Sequence, residues 1–199
     1  MEIRVREARN TDLTWLGQLM EDSAVYNIPF GRDVSHDEVR AAARKDFQDI
    51  VAGTNDLVIL VAENEALERM GVLLLQLNCC SQATGEPQSQ VYSLAIEPRF
   101  WGTAAPRLLV EEAARTTGEN GHRYMVGQVT ADNRRMKLKA ERMGFEVEAY
   151  EIVMACTLDG PAPMPGRAEN LRAHDVSRKQ RRLLAKRRAR KANRKKRRT

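Results

Sequence analysis

Val91-Tyr92-Ser93-Leu94-Ala95-Ile96-Glu97-Pro98-Arg99-Phe100-Trp101-Gly102-Thr103-Ala104-Ala105-Pro106-Arg107-Leu108-Leu109 is the stretch whose reading decides the fold. Its opening, Val91 to Ile96, is apolar and β-branched at the ends, which predicts a central strand. Pro98-Arg99-Phe100-Trp101-Gly102 predicts a turn. A helix is predicted from about Ala105, with Leu108, Leu109, Glu112 and Ala113 along it, and Asn120-Gly121 supplies its C-terminal stop. Proline at 106 suits the first turn of that helix, where an N–H would be unbonded anyway. A strand, a tight turn and a helix are thus predicted in this order.

Working towards the N-terminus, Ser81 to Ser89 is polar, contains Gly85 and Pro87, and reads as a loop. Gly71 to Leu77 and Leu57 to Ala62 are apolar runs joined by the polar Asn64–Arg69, which predicts a hairpin of buried strands. Ser35 to Ile50 reads as a helix with Val39, Ala42, Ala43, Phe47 and Ile50 on one face. Asn27 to Gly31 reads as a loop. Leu13, Leu16, Met20 and Ala24 space another helix, begun by Asn10-Thr11-Asp12. Ile3 and Val5 alternate with arginines as a first strand. Towards the C-terminus, Tyr124 to Thr130 predicts a strand, Asn133 to Met143 a helix closed by Gly144, and Glu146 to Cys156 a last strand. Gly160 to Gly166 holds three prolines and reads as a linker. The order β, α, α, β, β, β, α, β, α, β predicts an α/β (α+β) domain over 1–158, a mixed sheet flanked by about four helices.

Charge divides the chain sharply. Residues 1–165 hold 17 Lys/Arg against 25 Asp/Glu, whereas residues 166–199 hold 16 against 2. An acidic globule thus carries a basic extension, reached through a linker at 159–177. No apolar run nears the roughly 20 residues that span a bilayer. Met1-Glu2-Ile3-Arg4 begins no apolar signal segment, so a cytoplasmic protein is expected. Cys79, Cys80 and Cys156 form no CxxC pair, and the three histidines are scattered. Free thiols are expected, with neither a disulfide framework nor a metal site.

Over about residues 2–156 the chain resembles the GNAT N-acetyltransferases. The resemblance rests on Ile3-Arg4 through Ala8, Asp12 and Leu13, on Val91 to Pro98 as the fourth strand, on Phe100-Trp101-Gly102-Thr103 entering the turn before the main helix, and on Asn133 followed by Gly144-Phe145. It implies a mostly antiparallel sheet of six to seven strands and the binding of acetyl-CoA or CoA. In that family an interrupted strand ladder frees main-chain groups for the pantetheine arm, and the next helix turns its N-terminus to the pyrophosphate. The resemblance therefore implies that Leu94, Ala95 and Ile96 line the arm. Trp101, Gly102, Thr103, Ala104, Ala105 and Arg107 form the phosphate cradle, and Asn133 holds the far side.

Several positions depart from the family pattern. Ala104 and Pro106 stand where two small residues, usually glycines, are the rule. Proline has no N–H to offer a phosphate, and the Arg107 guanidinium is the expected substitute. Gln90 and Gln128 stand at the usual places of the base, and an amide takes no proton at neutral pH. Ala140 stands where a tyrosine donor is usual. Tyr92, Glu97 and Tyr124 are the remaining candidates for base and donor.

The extension from Arg178 to Thr199 has 14 Lys/Arg in 22 residues and no acid. These are Arg178, Lys179, Arg181, Arg182, Lys186, Arg187, Arg188, Arg190, Lys191, Arg194, Lys195, Lys196, Arg197 and Arg198. Without aromatics for base stacking, contact with nucleic-acid phosphates or another polyanion is the expected mode. Two functions follow as expectations. One is an acetyl-CoA-dependent N-acetyltransferase acting on an amine. The other is a catalytically inactive GNAT-fold structural or nucleic-acid-binding protein acting through its tail, of the kind that phage and other compact genomes carry.

Overall fold

The computed structural model describes residues 2–29, 32–53, 56–131 and 133–149, together with the backbone of 155–157 and 160–162. The predicted order of elements holds through the fourth helix. Strand β1 (Ile3–Glu7) leads through a 3-10 turn at Asn10–Asp12 into α1 (Leu13–Ala24). Helix α2 (His36–Gly53), β2 (Leu57–Asn64), β3 (Arg69–Cys80) and β4 (Pro87–Ile96) follow. Another 3-10 turn at Pro98–Phe100 precedes α3 (Ala105–Glu119), β5 (Met125–Gly127) and α4 (Arg134–Arg142). Strands β1 to β4 pair antiparallel in chain order, and β5 joins β4 in parallel.

The two sheet faces carry two cores, and strand alternation sorts the side chains between them. Val61, Val72, Leu74 and Ala95 meet Leu16 and Leu19 of α1 and Phe47 of α2. Leu60, Ala62, Leu73 and Leu75 meet Ala105, Leu109, Val110 and Ala113 of α3. Cover on both faces explains why β2 and β3 read as unbroken apolar runs. Gly71 is required at the β3–β4 seam: a Cβ there would lie 2.7 Å from the Ala95 carbonyl oxygen and 2.3 Å from Ile96 Cδ1.

Charges tie the edge of the sheet. Glu63, 3 % exposed, takes hydrogen bonds from Arg4 and, at 2.8 Å, from Arg6. Asp12 is equally buried and accepts from Arg6 at 2.7 Å and from the Arg9 N–H at 2.8 Å. Helix α2 starts with a reciprocal cap that the sequence reading passed over. Ser35 N–H donates to Glu38, and Glu38 N–H donates to Ser35 Oγ.

Three expectations are corrected. Strand β4 begins at Pro87, inside the predicted 81–89 loop, and β3 runs past Leu77 to meet it, pairing Cys79 with Gln88 and Cys80 with Pro87. Strand β5 has three residues, not the seven predicted, because it pairs with β4 only opposite Ser89 to Val91. The main sheet has five strands among the described residues. Ala155 and Cys156, predicted to end its last strand, instead join Thr157 in pairing with Gly160–Ala162, which had read as linker. These form β6 and β7, a two-stranded hairpin in a second unit comprising 29–33 and 149–199. The basic extension lies outside the described residues.

Candidate functional site

The site is built by an irregularity in β4. Leu75 pairs with Val91 and Leu74 with Ser93, so Tyr92 is an extra residue, a β-bulge. The bulge resets the alternation of the strand. Upstream, the Ser89 N–H turns to the β5 side, donating to the Tyr124 carbonyl at 3.0 Å. Downstream, the Glu97 N–H turns to β3, donating to Met70 at 2.9 Å. Ala95 must then face β3 as well, and the main-chain groups of Leu94 and Ile96 face away from it. There β5 has already ended, since its last pair joins Val91 to Gly127. The sheet therefore opens at Tyr92. The edge made by Leu94 and the Ile96 N–H has no partner among the described residues.

The turn beyond β4 brings the head of α3 to this opening. Trp101 N–H bonds the Pro98 carbonyl, and Thr103 Oγ1 donates to the Phe100 carbonyl at 2.9 Å. Gly102 adopts φ +94°, where a side chain is strained, and the space about it is open. The N–H groups of Gly102, Ala104 and Arg107 have no partner among the described residues, and Pro106 has none to offer. Ala104 takes φ −77°, so its methyl costs no backbone strain; the left-handed position is Gly102. Ala105 is buried in the α3 core, and its N–H lies 3.4 Å from Thr103 Oγ1.

Trp101 crosses the mouth of the opening. Its indole N–H donates to the Ile96 carbonyl at 2.9 Å. Tyr26 stacks edge-on to it at 5.5 Å and the Arg135 guanidinium lies 5.4 Å from its ring. The ring is still 44 % exposed, so it lies over the opening instead of filling it.

The remaining predicted residues are dispersed. Leu94 and Ile96 turn their side chains to the α3 core and Ala95 to the other. Arg107 does not turn to the head of α3; it pairs with Glu111 at the surface. Asn133 caps α4, its Oδ1 accepting from Met136 N–H at 3.0 Å. Both Glu97 oxygens are committed, to Trp15 Nε1 and to Arg99 Nε, each at 2.7 Å. Tyr124 precedes β5 beside Ser89, roughly 15–20 Å along the strand from Leu94 at about 3.3 Å per residue. Of the three catalytic candidates, Tyr92 alone stands at the opening. Its hydroxyl donates to Asp46 of α2, a partner the sequence reading missed. Burial first, and then the Asp46 carboxylate, push the Tyr92 phenol up to about 12.

Another polar chain has no such opening. Ser89 Oγ lies 3.0 Å from His122 Nδ1, and His122 Nε2 lies 3.2 Å from the Asn120 amide nitrogen. With Nε2 accepting, Nδ1 carries the proton and donates to Ser89, the reverse of what a base would do. Ser89 is fully buried, so this chain is a strut.

No protein-family model and no curated protein sequence matches the chain. Solved structures do. A protein of Pyrococcus furiosus described as an acetyl transferase superposes with a TM-score of 0.66 at 18% identity, over 77% of this chain and 99% of its own. The aminoglycoside N-acetyltransferase AAC(6')-Iy, in complex with a CoA bisubstrate analogue, gives 0.56 at 16% identity, over 79% and 99%. Glucosamine-6-phosphate N-acetyltransferase of Arabidopsis thaliana gives 0.54 at 15% identity, over 78% and 99%. Together with the sheet order, the bulged β4 and the opening beside α3, these likenesses establish that the chain has the fold of the GNAT acetyltransferases.

Proposed function

We propose that the chain is an acetyl-CoA-dependent N-acetyltransferase whose coenzyme lies between β4 and the head of α3. One observation carries the reading: beyond the Tyr92 bulge and the early end of β5, the Leu94 main chain and the Ile96 N–H have no partner among the described residues, and neither have the N–H groups of Gly102, Ala104 and Arg107. An extended amide-bearing arm fits the first, and a diphosphate fits the second. The coenzyme supplies an activated acyl group. The chain supplies orientation, and proximity alone offers roughly 7–11 kcal/mol in favourable cases. The fold neighbours include enzymes that act on aminoglycosides and on glucosamine 6-phosphate, which supports an amine acceptor.

The direct test is to incubate the full chain with acetyl-CoA and follow thiol release with and without a panel of amines. Amine-dependent release is expected; none with any amine would overturn the activity. Trp101 gives a separate prediction. Trp101→Phe keeps a ring but removes the N–H from the Ile96 carbonyl. It should tighten acetyl-CoA binding by about 2- to 10-fold, the worth of one released hydrogen bond. Calorimetric titration of both proteins checks this.

The composition of 178–199 supports a second role, contact with nucleic acid or another polyanion, in place of or beside catalysis. Truncation after Gly166 should abolish retention on DNA or RNA. Unchanged retention would remove this role.

A further inference from the structure

We propose that Asp46 and Tyr92 form the seat for a positively charged acceptor amine, a reading that rests on the transferase assignment and narrows its substrate class to cations. Tyr92 is the bulge residue at which the sheet opens, and its side chain reaches α2 rather than the α3 core. An acceptor approaching that opening from the α1–α2 face meets this pair.

The charge pattern sets Asp46 apart from four other carboxylates that make long-range bonds. Asp12, Glu21, Glu63 and Glu97 each meet an arginine. Asp46 meets a neutral phenol: Oδ2 takes the Tyr92 proton, and Oδ1 has no partner among the described residues. The phenol brings a hydrogen bond and no positive charge, so it offers Asp46 no counter-ion. One turn either way on α2 stand Ala42, Ala43, Asp49 and Ile50, which bring no cation to it. An exposed carboxylate fixed by a neutral donor, with an oxygen to spare, is suited to an ammonium group. The alternative is a strut that fastens α2 to β4.

The test titrates the full chain with 1,4-diaminobutane by amide chemical shifts, without coenzyme, and titrates acetyl-CoA separately by calorimetry. The diamine should bind at millimolar concentration, and Asp46→Asn should weaken it at least 10-fold while leaving acetyl-CoA affinity within 2-fold. Asp37→Asn, at the far end of α2, should change neither. In turnover, Asp46→Asn should raise KM for the diamine and spare aniline, which is uncharged at neutral pH. Tyr92→Phe should weaken the diamine less than Asp46→Asn, because it loosens the carboxylate without removing it. No diamine binding to the wild type, equal binding to Asp46→Asn, or equal loss for diamine and aniline would each overturn the cation seat. Absence of acetyl-CoA binding by the wild type would instead overturn the transferase reading, with the diamine result standing on its own.

Discussion

Ala104→Asp should make the protein more stable and at the same time blind to acetyl-CoA. Ala104 is the N-cap residue of α3 and makes no side-chain cap bond. An aspartate there can accept the idle N–H of Arg107 and complements the helix dipole, together worth about 0.5–1 kcal/mol. In the proposed berth the same carboxylate would take a donor from the diphosphate and set like charges together. At about 4 Å and an effective dielectric near 20, that repulsion is on the order of 4 kcal/mol. Affinity should fall by roughly two to three orders of magnitude as thermal stability rises slightly. Calorimetry and thermal denaturation on one preparation check both halves. A variant that keeps its affinity would mean the coenzyme, if bound, lies elsewhere.

The largest effect on stability should come from Glu63→Gln. The amide has the same shape but removes the charge that Arg6 and Arg4 share at the β1–β2 seam. Breaking one member of a buried ionic cluster costs about 3–5 kcal/mol; Asp12 still serves Arg6, so about 3 is expected, a fall in Tm of roughly 6–12 °C. The pH dependence follows. Burial opposes ionisation of Glu63, but Arg6 and Arg4 outweigh it and hold its carboxyl below the usual range. The Arg6 hydrogen bond does the same for Asp12. A depressed folded-state value means these contributions are full at neutral pH and drain away as pH falls below about 4. Denaturant titrations from pH 7 to 3 should show a steep loss for the wild type and a shallower one for Glu63→Gln.

What the sequence disclosed was local. Val91 to Leu109 carries a strand, a turn and a helix start in consecutive residues, each by its own pattern, and all three form. Trp101, Gly102 and Thr103 form the turn before α3 as expected. What the sequence concealed depends on the pairing of distant segments. The Tyr92 bulge is a matter of register with Leu74 and Leu75, which no period within β4 reveals. Val129 and Thr130 look like strand residues, but β4 is not beside them to pair. The Asp46–Tyr92 bond spans 46 positions and joins a helix to a strand. Glu97 looked free and is occupied, because Trp15, 82 positions away, folds onto it. Ala104 stands where a glycine is usual, yet the turn places its positive φ at Gly102 instead. Of the predicted base and donor candidates, only Tyr92, bonded to Asp46, stands at the opening.

The proposed coenzyme berth is tested most directly by amide resonances of the nitrogen-15-labelled full chain during titration with acetyl-CoA. The account predicts saturable shifts at Leu94, Ile96, Gly102, Ala104 and Arg107, with the Trp101 indole resonance moving as its bond to Ile96 is exchanged. Silence at these amides, or shifts confined to another face, would contradict it.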